Sequence, residues 1–294
     1  MHAPSRLLTA ATALLATAAC ASTGAAGDGG AGGAGGGLRV TASSYPLHYV
    51  AERVTAGRGA VDNLVPPGAD SHDLELSAQQ VGELGEADLV VHLSGLQPAV
   101  DEALEVQAPA HLVDAAPLAD LHGDPHFWLD PTRVARLAEQ VAEAASEVDA
   151  AGAQQYAANA EQLGQELAEL DREYATALAP CAGAGATLVT AHEAFGYLAQ
   201  RYGLQQLGIK GIDPHVDPSP ARLREVVDTV RGRDVRTVFF EAATSPAVAE
   251  TLAQDTGVQT SVLHPLERVT QEQDYPGLMR ENLAALTGGL NCGA

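Results

Sequence analysis

Cysteine is scarce. Three residues in a chain of 294 are too few for a disulfide-built scaffold, and no Cys-x-x-Cys offers a zinc knuckle or a redox pair. Aromatic residues make up 4%, with a single Trp, so any core is built from small aliphatic side chains. Basic residues number 16 against 38 acidic ones, a formal net charge of −22. That balance excludes nucleic acid or an anionic membrane surface as the main partner. No His-Glu-x-x-His occurs: His192-Glu193 is followed by Ala194-Phe195-Gly196, which removes the helical zinc-protease motif. What is present is a 46% hydrophobic chain, enough for a sizeable core and for one large or two medium domains.

The beginning of the chain reads as processing signal and not as fold. Arg6 precedes a small apolar run, residues 7–19, too short to cross a bilayer and suited to a signal-peptide core. It ends in Thr17-Ala18-Ala19-Cys20, which resembles the bacterial lipobox, in which the cysteine is acylated and becomes the mature N-terminus. Residues 21–37 are almost wholly Gly and Ala and read as a flexible tether with a reach of about 23 Å. Residues 1–19 are therefore expected to be a signal peptide, and 20–37 a lipidated cysteine and tether. The folded part then works outside the cytoplasm, held to the cell membrane by lipid alone.

From residue 38 onward, short apolar strands alternate with helices. Strands are predicted at 38–42, 61–65, 87–93 and 111–113, and again at 187–191, 204–209, 236–241 and 258–263. Helices fill the intervals, and an uninterrupted helix from 153 to 179, ended by Pro180, lies between the two sets. The fold class is α/β. Two lobes, 38–149 and 183–294, each hold a parallel sheet flanked by helices, and a long rigid helix within 150–182 joins them. A cleft between the lobes, near the carboxyl ends of the strands, is the expected site.

Chemistry-bearing residues follow those strand ends. His72 lies in a proline-stiffened loop after the second strand, and His126 in the loop Asp124-Pro125-His126-Phe127-Trp128. His192 directly follows the first strand of the second lobe, and Glu267 comes after the last one. Imidazole nitrogen and carboxylate oxygen suit a borderline divalent cation. Glu241 ends a strand at the same edge; it is either a group that orients a ligand imidazole or a solvated strand end. His48, His92, His111 and His122 read as ordinary histidines, with His92 also placed to line the cleft.

Four words in order, NLVPPGADSHDLELSAQQ, DPHFWLDP, TAHEAFGYLAQRYGL and HPLERVTQEQDYPGLMRENLAAL, resemble the zinc and manganese solute-binding lipoproteins of ABC importers. The resemblance covers residues 38–294. It implies a metal held between two lobes by His72, His126, His192 and a fourth ligand, with Glu267 matching the zinc-binding branch. His264 stands in the word before Pro265-Leu266-Glu267, so the fourth ligand is open between His264 and Glu267. His215 and Asp217 stand where relatives more often carry an acidic pair and are candidates for groups behind the ligands. The resemblance further implies Zn2+ as cargo in preference to Mn2+, a permease with its ATPase as partner, and a monomer with no enzymatic activity.

Two other functions compete with metal capture. A zinc hydrolase needs an open metal position for water, which a fourth protein ligand fills. An adhesin needs a surface for a host molecule, which no motif encodes. Cys181 and Cys292 are expected to pair, because leftover thiols outside the cytoplasm tend to do so.

Overall fold

The computed structural model describes residues 37–120, 123–242, 245–270, 274–290 and 292. The expected signal peptide, Cys20 and most of the tether lie outside them. Among the described residues no helix is long and apolar enough to cross a membrane.

The first sheet holds β1 (Leu38–Ala42), β2 (Gly59–Asn63), β3 (Leu89–His92) and β4 (Leu112–Asp114). The second holds β5 (Thr187–Thr190), β6 (Gln205–Gly208), β7 (Thr237–Glu241) and β8 (Gln259–Leu263). Their orders are β2-β1-β3-β4 and β6-β5-β7-β8, parallel throughout, so the two lobes repeat one topology. Each sheet reverses direction of winding between its two central strands. That is where an open α/β sheet leaves a crevice at its carboxyl edge.

The helices α1 (Tyr45–Thr55), α2 (Ala78–Glu86), α3 (Pro98–Gln107) and α4 (Pro131–Val148) serve the first lobe. The second carries α6 (Gly196–Tyr202), α7 (Pro220–Gly232), α8 (Ala247–Thr256) and α9 (Tyr275–Leu290). Local chemistry sets several starts. Ser77 closes a capping box with Gln80 on α2, Asp130 caps α4 ahead of Pro131, and Ser219 caps α7 ahead of Pro220.

Between the lobes runs α5 (Ala153–Ala184), 32 residues and about 48 Å long. It buries Tyr156, Ala160, Leu163, Leu167, Leu170, Tyr174, Leu178 and Cys181, a seam at three- and four-residue spacing. The seam packs on α1 and α4 along one half and on α6 and α9 along the other. One hydrophobic core therefore passes through both lobes, from Leu38 to Leu286.

Two sequence expectations shift. Pro180 does not end α5. It sits in the last turns, where a missing N–H removes a single ladder bond, and the helix stops at Gly185, whose left-handed φ of 63° and N–H bond to Ala182 O close it. β2 lies two residues earlier than predicted, because Pro66-Pro67-Gly68 opens a loop whose first residues, Leu64 and Val65, are buried without pairing as strand.

Cys181 and Cys292 are joined, with Cα atoms 4.7 Å apart across 111 residues of chain. The bond pins the end of the chain to α5. In a urea titration, reduction is expected to lower the unfolding free energy by about 2–5 kcal/mol, as loop-closure entropy for so long a loop requires. Coincident curves with and without reductant would contradict this.

Candidate metal centre

The Pro66-Pro67-Gly68 turn brings the loop after β2 back over the sheet edge, and Asp70 Oδ1 accepts the His72 backbone N–H at 2.9 Å. The loop after β4 repeats the device: Asp124 Oδ1 accepts the His126 N–H at 2.9 Å. Beyond His126 a short 3-10 turn, Phe127–Leu129, drives three apolar side chains into the core and runs into the α4 cap. His192 leaves β5 at the crevice between β5 and β7. Its N–H reaches Glu241 Oε1 at 3.2 Å, and its carbonyl accepts the Thr190 hydroxyl at 2.6 Å. Glu267 is aimed by an unusual turn: Leu266, buried, holds a φ of 63°, a left-handed conformation that a non-glycine residue adopts at a cost of about 1–3 kcal/mol.

These four side chains converge. One ligand atom from each of His72, His126, His192 and Glu267 lies within 4.8 Å of the other three. Glu267 Oε1 is 2.6 Å from His72 Nε2 and 3.1 Å from His126 Nε2. The ring centroids of His126 lie 5.5 Å from His72 and 5.3 Å from His192. His126 is fully buried and His192 nearly so. The Nδ1 atoms of two rings are engaged by carboxylates, His126 by Asp124 Oδ1 at 2.6 Å and His192 by Glu241 Oε1. The inward nitrogen of each is then Nε2, and that of His192 is buried without a hydrogen-bond partner among the described residues. A carboxylate-buttressed imidazole with its inward nitrogen unpartnered, as at His192, suits a divalent ion.

Burial by itself would raise the Glu267 carboxyl and lower the His126 imidazole. His126 and His72 override it at Glu267, which is held well below the usual carboxylate range. Glu267 and Asp124 override it at His126, which is raised to about 9. His72 is raised as well, against its own burial, by Glu267.

The remaining sequence candidates lie elsewhere. His264, the alternative fourth ligand, is not in the cluster; its Nε2 faces Glu281 at 3.2 Å and its backbone is bracketed by Asn282. Two residues, Pro265 and Leu266, separate it from Glu267, and the left-handed turn at Leu266 sends the two side chains to different surroundings. His215 lies against Asp70 and Asp73 and not behind a ligand imidazole, and Asp217 is exposed. Asp124 was not singled out by sequence, although Asp-x-His recurs at 70–72, 124–126 and 213–215, each with the Asp accepting the His N–H. Gly196 is required beside it: a Cβ there would fall 2.5 Å from Asp124 Oδ2.

Residues 40–289 match the model of the family ZnuA, zinc-uptake complex component A, periplasmic. The chain belongs to this family. It is 30% identical over 277 residues to the zinc-binding lipoprotein AdcA of Streptococcus pneumoniae serotype 4, covering 85% of this chain and 55% of that one, so it spans about half that relative's length. It is 30% identical over 282 residues to the high-affinity zinc uptake system protein ZnuA of Bacillus subtilis, covering 86% and 88%. Among solved structures, the Zn(II)-bound ZnuA-like domain of S. pneumoniae AdcA superposes with a TM-score of 0.74 at 32% identity, covering 87% of this chain and all of that one. The laminin-binding protein Lmb of Streptococcus agalactiae, described as having adhesin and metal-transporting activity, gives 0.77 at 30% identity, covering 86% and 100%.

An unperturbed imidazole would set the onset of proton competition near about 6.5. The raised His126 would move it upward in this ZnuA-family chain: below about 9 this imidazole holds a proton that an ion bound at it would displace. Affinity is expected to climb as pH rises toward that value. Calorimetry at about pH 7.5 in buffers of different ionisation enthalpy should register proton release on binding; a buffer-independent enthalpy would contradict it. Asp124→Asn, which removes the charge behind His126, is expected to weaken binding about 10–100-fold in the same titration.

Proposed function

We propose that this chain is the extracytoplasmic binding component of a zinc importer, which captures Zn2+ between its lobes and delivers it to a membrane permease driven by an ATPase. The observation that carries this reading is the buried set of three imidazoles and one carboxylate, with two of the imidazoles fixed by carboxylates behind them. His72, His126, His192 and Glu267 are the ligands in this account, Asp124 and Glu241 orient two of them, and the ion is cargo. Nitrogen-rich four-coordination suits Zn2+; Mn2+ prefers oxygen donors and a larger shell.

A binding role is favoured over hydrolysis for a chemical reason. Four protein donors fill a tetrahedral zinc and leave no position for an attacking water. The neighbouring carboxylate, Glu193, is turned away and paired with Arg222 at 2.5 Å, so it does not serve as a general base.

Anchoring belongs to the same proposal. Thr17-Ala18-Ala19-Cys20 supports removal of residues 1–19 and acylation of Cys20. Residues 20–37 would then tether the lobes 38–149 and 183–294, joined through 150–182, to the cell membrane.

Titration with zinc and with manganese tests the assignment. Zinc should outcompete manganese. His126→Ala, His192→Ala and Glu267→Ala should each weaken zinc by more than about 100-fold, beyond what loss of an outer partner costs. His264→Ala should stay within about twofold of wild type, because its imidazole faces Glu281 and not the cluster. A preference for manganese, or normal binding by Glu267→Ala beside weak binding by His264→Ala, would overturn it.

A further inference from the structure

The loop carrying His72 belongs to the first lobe yet is fastened to the second. Gly68 N–H donates to Val269 O at 3.0 Å, two residues beyond Glu267. Asp70 makes the stronger connection, because its two oxygens face opposite ways. Oδ1 accepts the His72 N–H at 2.9 Å and so fixes the backbone of a ligand. Oδ2 accepts from the Arg268 guanidinium, on the residue next to Glu267, and lies 3.3 Å from His215 Nε2. His215 is itself held: Asp213 Oδ1 accepts its N–H at 2.8 Å, and Lys210 Nζ donates to Pro214 O at 2.6 Å. The Asp70 side chain is nine-tenths buried, whereas Arg268, His215 and Asp73 are progressively more open to solvent. A carboxylate shielded to this degree and shared between a ligand's backbone and a guanidinium is worth more than an ordinary surface ion pair.

We propose that Asp70 is a positioning residue that straps the His72 loop to the second lobe and thereby slows escape of the bound ion. The inference rests on the metal-capture reading and assigns it a release gate. With the shared core fixing the lobes along α5, the ion leaves when a ligand loop lifts, and the 66–73 loop is a ligand loop tied across the cleft by side chains. Breaking the Oδ2 side of the strap should raise the dissociation rate while leaving the ligand set intact.

Asp70→Asn isolates that side. The amide oxygen still accepts the His72 N–H, but the neutral group no longer pairs with Arg268. Arg268→Gln breaks the same link from a half-exposed position that tolerates substitution. The full chain, loaded with Co2+ or Zn2+, is mixed with excess chelator, and release is followed alongside the Co2+ absorption spectrum and the metal stoichiometry. Release from either variant is expected to be at least about tenfold faster than from wild type. The double variant should be no faster than the quicker single one, because both remove one interaction. The Co2+ spectrum should be unchanged and one ion bound per chain. Wild-type release from Asp70→Asn, or rate effects that multiply in the double variant, would overturn the strap alone. A second bound ion lost in His215→Gln would also overturn it, making Asp70, Asp73 and His215 an ion site. Failure of the wild type to hold either metal would overturn the strap together with the function it rests on.

Discussion

The structure is organised around a buried anion. Glu267 is nearly sealed from water at the junction of the lobes. An isolated carboxylate there would cost several kcal/mol in lost hydration. The sequence places His72 and His126 against it instead, and the pairing is strong enough to keep Glu267 ionised and to hold a proton on His126. A proton is the weaker occupant of such a pocket. In the proposed role, a divalent ion would satisfy the carboxylate and three imidazole lone pairs together.

Holding that pocket in shape falls to groups outside the cluster of four side chains. The Trp128 indole donates to Pro265 O at 2.8 Å, and the Tyr275 hydroxyl to Trp128 O at 2.6 Å. The His126 loop and the Glu267 turn are thereby fastened to each other across the cleft. Tyr197 adds a hydroxyl bond to Asp124 O at 3.2 Å. With the α5 seam and one core running through both lobes, wide opening would expose buried Tyr156, Leu167, Tyr174 and their neighbours. That exposure would carry an apolar cost of about 25 cal/mol per Å².

Much of this was legible in the sequence because strands, turns and ligand loops leave local marks. Val-, Leu- and Ala-rich strands and Pro at helix starts marked the α/β lobes, whereas His beyond strand ends gave only candidates, and the four motif words shared with metal solute-binding lipoproteins selected among them. The rest depends on contacts distant in sequence. Asp124 is two residues from His126 but reads as an ordinary turn acid until its oxygen is seen on Nδ1. The sequence left the fourth position open between His264 and Glu267 while favouring Glu267 by resemblance, and the backbone at Leu266 sends the two side chains apart. Pro180 looked like a stop because local propensity weighs against it, whereas tertiary packing of the α5 seam carried the helix past it to Gly185.

The central claim is that three imidazoles and one carboxylate of this chain enclose a single Zn2+. X-ray absorption at the zinc edge, on protein loaded with one equivalent, examines that shell directly. The account predicts nitrogen and oxygen neighbours only, at about 2.0–2.1 Å, with the multiple-scattering pattern of three imidazole rings. A sulfur neighbour near about 2.3 Å, or a shell with one imidazole and mostly water, would contradict it.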